Sequence, residues 1–132
     1  MPRTKPLFSA LRNLARIPGS QVVTLAGIRV LNYIKKDNLL LETPTLTAFH
    51  HPEPGYPVHI LVVPKRLIKD ISEISKADNQ FLIDLFETVS NLVGEYNLEE
   101  GSYRLVVNGG KNQDMPLLHF HLIAGGLVLC QG

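Results

Sequence analysis

Two histidines interrupt an apolar run near the end of the chain, in Leu117-Leu118-His119-Phe120-His121-Leu122-Ile123. Successive side chains of a β-strand point to opposite faces, so a strand over this run places both imidazoles on one face and large apolar side chains on the other. The pattern predicts a strand over residues 117–124 that carries two neighbouring imidazoles. Taken alone, such a pair also fits half of a metal site or two partly exposed histidines.

Further strands and one helix are predicted upstream of this run. The strands are short β-rich runs bounded by Pro, Gly and polar residues, at Leu39–Leu41, Thr45–Phe49, His59–Val63 and Tyr103–Val107. The helix begins near Ser75-Lys76-Ala77-Asp78, which has the features of a helix start. It continues to about residues 97–101, because apolar residues recur there at helical spacing: Phe81, Leu82, Leu85, Phe86, Val89, Leu92, Val93 and Tyr96.

Composition indicates one globular domain and argues against several partner classes. The chain has 132 residues, of which 45% are hydrophobic and 19% charged, and this is enough to build a hydrophobic core. A net charge of +1, without a long basic block in the C-terminal two thirds, argues against a nucleic-acid partner. The single Cys130 cannot form an internal disulfide, which is typical of the reducing cytoplasm.

The basic residues are concentrated at the N-terminus. All of the following precede Asp37, the first acidic residue: Arg3, Lys5, Arg12, Arg16, Arg29, Lys35 and Lys36. We therefore expect residues 1–38 to form a basic, helical N-terminal extension, with helices over 7–17 and 20–34, although the β-branched residues of the second stretch also fit a strand. The first of these helices would be amphipathic. It could contact an anionic membrane surface, or it could dock on the sheet or on a partner subunit.

Four ordered blocks of the chain resemble the histidine triad (HIT) superfamily, and in particular its nucleotide-binding, phosphoramidase-like branch. The run His59-Ile60-Leu61-Val62-Val63-Pro64-Lys65 resembles the signature strand of that family. Leu105–Gly109 resembles a second conserved segment, and Gln113 stands six residues before His119 as the family's Gln does. His119–Gly126 resembles the second half of the His-x-His-x-His motif with its trailing glycines, and the Phe49 strand end also follows the family order.

The resemblance implies a fold and an assembly. The fold is α+β, a mainly antiparallel sheet of about five strands with one long helix packed on it, over residues 39–132. Members of the family pair through that helix and the adjoining strand into a homodimer with a continuous sheet.

The resemblance also implies a reaction and assigns residues to it. His119 would attack the α-phosphorus of a nucleotide and form a nucleotidyl-histidine that water then cleaves. His59 and His121 would contact the non-bridging phosphate oxygens, and Asn108 and Gln113 would help to hold the phosphate or the histidine. Phe49 and His51 would contact the nucleotide, which in this branch is a purine nucleotide or a related phosphate compound. Neither a metal nor another cofactor is required.

Three positions depart from the family pattern. Leu117 occupies the place of the first triad histidine, so we expect the hydrogen bond made by that position's side chain to be missing, while a backbone carbonyl steers the second ring nitrogen of His119. His51 replaces the acidic residue that takes the ribose hydroxyls, and an imidazole binds a diol less well than a carboxylate does. Asp114 replaces a Ser that faces the leaving group, where it either supplies an acid or repels an anionic phosphate.

These departures leave three functions open. The first is hydrolysis or transfer at the α-phosphorus of a nucleotide derivative, most plausibly a phosphoramidate. The second is a nucleotide-binding or anion-binding regulatory module of the same fold with little turnover. The third is a metal cluster built from His50, His51, His59, His119 and His121, although no carboxylate or cysteine stands at ligand spacing to complete it.

Overall fold

Residues 38–125 are described by a computed structural model, and within them the chain forms one antiparallel sheet and one α-helix. The strands are β1 (Leu39–Glu42), β2 (Leu46–His50), β3 (Val58–Pro64), β4 (Tyr103–Val107) and β5 (Phe120–Ala124), and the helix is α1 (Asn79–Glu95). The five strands lie in the order β1-β2-β3-β5-β4, and every neighbouring pair is antiparallel. The expected α+β architecture is confirmed. The two predicted N-terminal helices lie outside the described residues.

Polar side chains define the turn between β1 and β2. The Thr43 hydroxyl accepts hydrogen bonds from the backbone N–H groups of Thr45 and Leu46, which closes the chain around Pro44. The Thr45 hydroxyl donates to the Asp84 carboxylate on α1, at 2.5 Å. The turn is therefore fixed to the helix as well as to its own strands.

α1 begins at Asn79, directly after the helix start that the sequence predicts at Ser75-Lys76-Ala77-Asp78. Ser75 accepts a hydrogen bond from Ala77, and the Asp78 carboxylate accepts one from the Ser75 N–H, so the two residues form a capping box. Asp78 also receives two hydrogen bonds from the Arg66 guanidinium, at 2.7 and 2.9 Å. Because Arg66 follows β3 directly, this ion pair joins the end of that strand to the beginning of the helix.

The last strand is shorter than predicted. β5 begins at Phe120 rather than at Leu117, because the Leu118 N–H donates to the Ile68 carbonyl at 2.7 Å and so holds this part of the chain against the segment after β3. His119 therefore lies immediately before the strand, and His121 lies within it. The other strands differ from the prediction by no more than a residue or two at each end.

The sheet is buried on both faces. One face packs against Phe81, Leu85, Val89 and Leu92 of α1, and its side chains form the core: Leu46, Ala48, Ile60, Val62, Phe120 and Leu122. The opposite face is also buried, at Phe49, Leu61 and Ile123. The histidine pair lies on this second face. Within residues 38–125, no helix is long and apolar enough to cross a membrane.

Candidate active site

Strand pairing brings the predicted histidines together on the face of the sheet opposite α1. β3 carries His59 and β5 carries His121, and these strands are neighbours with Leu61 directly opposite His121. His51 follows β2, and its backbone N–H bonds to the His59 carbonyl at 2.8 Å, so the two residues lie side by side. Their ring centroids are 4.3 Å apart. Strand alternation predicted the facing of His121, whereas His51 and His59 were assigned to the site through the family resemblance.

Hydrogen bonds assign the proton positions of the His59–His121 pair. The Gly55 N–H donates to Nδ1 of His59 at 3.0 Å, so Nδ1 acts as an acceptor and a neutral His59 carries its proton on Nε2. That Nε2 lies 2.9 Å from Nδ1 of His121 and donates to it. A neutral His121 then carries its own proton on Nε2. Its second nitrogen is thus a hydrogen-bond donor, as contact with a phosphate oxygen requires.

A backbone carbonyl fixes the tautomer of His119. Nδ1 of this residue lies 2.8 Å from the carbonyl oxygen of Leu117, which can only accept, so Nδ1 carries the proton. Nε2 of a neutral His119 therefore carries a lone pair, as a nucleophile requires. The side chain of Leu117 is aliphatic and buried and supplies no polar group behind His119. The backbone carbonyl that was expected to steer the ring is that of Leu117 itself.

Burial keeps these imidazoles neutral. Desolvation lowers the pKa of His59 below the usual histidine range. It also lowers the pKa of His119, although the bond to the Leu117 carbonyl and the charge of Asp114 oppose the effect. The pKa of His121 is lowered to about 3, first by desolvation and then by the neighbouring imidazoles. At neutral pH the site therefore presents uncharged histidines.

Phe49 provides an apolar surface beside the imidazoles. It is paired with Leu61, which is paired in turn with His121, so the three side chains form one row across β2, β3 and β5. Phe49 and Leu61 are fully buried. This row joins the polar end of the face to an apolar region, an arrangement typical of small-ligand sites.

The loop between β4 and β5 contains the remaining predicted residues. Val107 is paired with Phe120, so the register places Asn108 opposite His119 at the next position. Asp114 is exposed, and its charge opposes in part the lowering of the His119 pKa by burial. The side-chain amide of Gln113 donates to the Lys69 carbonyl at 2.5 Å, which fixes this side chain to the segment after β3.

The geometry does not support the metal alternative. Within residues 38–125, no group of three or more His, Cys, Asp and Glu residues is arranged to hold a metal ion. The facing nitrogens of His59 and His121 bond to each other, and the His50 side chain is exposed.

Sequence reasoning missed the Gly55 N–H, and it expected a backbone carbonyl to bond to His119 without identifying Leu117 as its source. Both groups are backbone atoms, which every residue has and no side-chain pattern reveals. It also did not single out Asp70, which lies beside Gly109 in the loop between β4 and β5. Asp70 offered a local signal, because an Asp two residues before Ser72 is typical of a side-chain turn, and the Asp70 carboxylate does accept a bond from the Ser72 N–H at 2.8 Å.

Comparison with known proteins gives a consistent result. A model of the HIT domain matches residues 33–126. An uncharacterized HIT-like protein of Azospirillum brasilense is 37% identical over 89 residues, which cover 65% of this chain and 73% of that protein. A HIT family hydrolase from Clostridium thermocellum has a similar structure, with a TM-score of 0.67 and 29% identity over 78% of this chain and 94% of its own.

A histidine triad nucleotide-binding protein from Candida albicans shares the fold at a TM-score of 0.65 and 24% identity, covering 78% of this chain and 80% of that one. Because the family model covers most of the chain, and both relatives and solved structures agree with it, the chain belongs to the histidine triad (HIT) family.

Proposed function

We propose that this protein is a nucleotide-binding hydrolase or transferase that acts at the α-phosphorus of a nucleotide derivative, through a covalent bond to His119. The observation that carries the proposal is the tautomer of His119. Its Nδ1–H is held by the Leu117 carbonyl while burial keeps the ring neutral, so Nε2 is ready to attack an electrophile. No general base has to remove a proton from it first.

The first step forms a bond from Nε2 to phosphorus and breaks the bond from phosphorus to the leaving group. With a phosphoramidate, the leaving amine takes its proton from water on the side where Asp114 is exposed. His119 becomes a phosphorylated imidazolium whose Nδ1–H still donates to the Leu117 carbonyl. Attack by water then releases the nucleoside monophosphate and returns the neutral imidazole. Attack by another acceptor would make the reaction a transfer.

His121 is suited to stabilise the charge on the phosphate. Its Nε2–H donates outward, because its Nδ1 is already engaged by His59. A preorganised donor aimed at the oxygens that gain charge lowers the barrier of phosphoryl transfer. His59 acts behind it by fixing the ring orientation, with the Gly55 N–H as its own support. His51 then meets the nucleoside, for which we propose a purine base, and the buried Phe49 supports this side of the site from beneath.

The experiment compares wild type with His119→Ala on adenosine and guanosine phosphoramidates. Wild type should release the amine, and His119→Ala should lose several orders of magnitude of that rate while it keeps its fold. His121→Ala should lose roughly 10²–10³-fold, as is usual for a positioned donor. His50→Ala is the matched control, because this exposed side chain lies on the other face of β2. Equal rates for wild type and His119→Ala would refute the proposal.

A second function, nucleotide binding with little turnover, is favoured by one observation. The exposed Asp114 acts electrostatically on His119, so a negative charge lies near the proposed position of an anionic phosphate. The same experiment separates the two functions: a protein that binds nucleoside monophosphates but releases no amine is the binding module. Asp114→Ser should then raise the rate.

The active form is a symmetric homodimer in this proposal. β4 is one of the two edge strands of the described sheet, with an exposed Tyr103, and the exposed Ile83 and Phe86 of α1 supply apolar surface for a second copy. Light scattering at micromolar concentration should give twice the mass of one chain, and Phe86→Glu should give one chain mass. A monomeric wild type would end this part of the proposal.

We also propose that the protein lies in the cytoplasm and that residues 1–38 form an N-terminal extension to the domain. The single cysteine fits the cytoplasm. Sedimentation with anionic vesicles at low salt tests the alternative that residues 1–38 contact a membrane surface, and absence of binding rejects it.

A further inference from the structure

A short segment after β3 holds the loop that leads to His119. We call Ile68, Lys69 and Asp70 the anchor segment. The Ile68 carbonyl accepts a hydrogen bond from the Leu118 N–H at 2.7 Å, and the Lys69 carbonyl accepts one from the Gln113 side chain at 2.5 Å. Both partners lie between β4 and His119. The anchor segment therefore contacts this loop through consecutive residues.

Asp70 makes the third contact, and it is the one made by a charged side chain. One carboxylate oxygen accepts from the Ser72 N–H at 2.8 Å, which shapes the anchor segment itself. The other oxygen faces the loop, where a Cβ added at Gly109 would lie 3.3 Å from it. The hydrogen bonds from Ser72 are the main reason why the pKa of Asp70 lies below its usual value, and the nearby Gly110 N–H acts in the same direction to a smaller extent. Asp70 is thus an anion at neutral pH.

The loop depends on these contacts because little else holds it. Gly110 has a φ of 58°, a left-handed conformation that glycine adopts readily, and a short 3₁₀ turn runs from Gly110 to Asn112. A groove of about 410 Å³ separates part of the loop from the anchor segment, so close apolar packing does not fix their relative position. A charge-assisted hydrogen bond is stronger than a neutral one and suits this task.

We propose that Asp70 is a positioning residue, which orders the 108–114 loop so that the loop is ready to receive a phosphate beside His119. The inference rests on the proposed function and extends it to a residue outside the histidine motif. Without the Asp70 contact, the loop must be ordered by the substrate, and that cost reduces affinity. His119 itself stays in place, because the Leu117 carbonyl and the Leu118–Ile68 bond hold it independently.

The test is Asp70→Asn, which keeps the size of the side chain but leaves only one acceptor oxygen for two N–H groups. KM for the phosphoramidate and Kd for adenosine monophosphate should both rise about tenfold, while kcat stays within about threefold. The Gly110 amide should exchange its hydrogen about tenfold faster, whereas the Val62 amide in the core should not change. Asp70→Ser, which can still accept from the Ser72 N–H, should behave in the same way if Asp70→Asn folds poorly.

Glu73→Gln is the matched control. Glu73 accepts a hydrogen bond from the Lys69 N–H in the same region, so this variant also removes one negative charge. Unchanged KM, Kd and Gly110 exchange are expected, because Glu73 bonds to the anchor segment and not to the loop. An equal effect of Glu73→Gln and Asp70→Asn would overturn the inference and leave only a charge effect.

Two further outcomes separate this inference from the proposed function. If wild type binds adenosine monophosphate and releases amine, and Asp70→Asn has the same Kd, KM and kcat, the role of Asp70 is overturned while the proposed function stands. A wild type that neither binds adenosine monophosphate nor releases amine would overturn both.

Discussion

Acidification should destabilise this protein through its neutral histidines before its carboxylates are protonated. The pKa of His121 is about 3 in the folded protein, whereas an unfolded chain has the ordinary histidine pKa near ~6.5. Between these values the unfolded state binds more protons than the folded state. Stability is therefore complete above the unfolded pKa and falls as the pH drops towards the folded one.

The size of the effect follows from this difference. For one histidine that stays neutral when folded, moving from pH 7 to pH 5 lowers the free energy of unfolding by about 2 kcal/mol. His59 and His119 add to the effect in the same direction, because their pKa values are also lowered. Lowered pKa values at Asp70 and Asp84 contribute little in this window, since both the folded and unfolded forms of these carboxylates remain ionised down to about pH 5.

Urea unfolding followed by circular dichroism at the two pH values measures this difference. Wild type should lose at least about 2 kcal/mol between pH 7 and pH 5, and His121→Gln should lose about 2 kcal/mol less than wild type. His50→Gln should behave like wild type, because that side chain is exposed in the folded protein. A stability that does not change between pH 7 and pH 5, or a loss that is as large in His121→Gln as in wild type, would refute the argument that burial keeps His121 neutral.

Four substitutions test other features of the structure. Thr47→Val should raise the free energy of unfolding by about 1 kcal/mol in urea titrations, because this buried hydroxyl has no hydrogen-bond partner in the described part of the chain; a loss would reveal a partner. Gly125→Ala should lower the melting temperature, since Gly125 has a φ of 74° and a Cβ there would lie 3.0 Å from Pro57. Gly94→Ala should raise the melting temperature, because Gly94 lies within α1 and has open space around it. Leu117→His should leave kcat/KM for the phosphoramidate within about threefold, because the carbonyl bond is already present; a tenfold rise would show that the missing imidazole limits the reaction.

Side-chain periodicity was sufficient to predict the strands and the long helix, and alternation predicted that His119 and His121 share one face. The place of His59 followed from the family resemblance and not from periodicity. The turn that leads into the helix was visible in four residues, at Ser75 and Asp78. These predictions succeeded because strand and helix periods are local properties of the chain.

The errors arose where the backbone of a distant segment intervenes. β5 begins late because the Leu118 N–H donates to the carbonyl of Ile68, which lies in the segment after β3. The tautomers of the site depend on the Gly55 N–H and the Leu117 carbonyl. A main-chain partner carries no residue-type signal, so its place in the site follows only from the path of the chain.

The Leu117 carbonyl has a consequence for how such motifs are recognised. Because a main-chain oxygen orients the His119 ring, the side chain at position 117 is not needed to select its tautomer, and a search that demands three alternating histidines would discard a chain that retains the reactive nitrogen. Position 117 is instead constrained by shape, since its side chain is only 3% exposed. In protein engineering, this position is therefore a place to adjust the apolar wall beside the nucleophile without altering the electronic state of the imidazole.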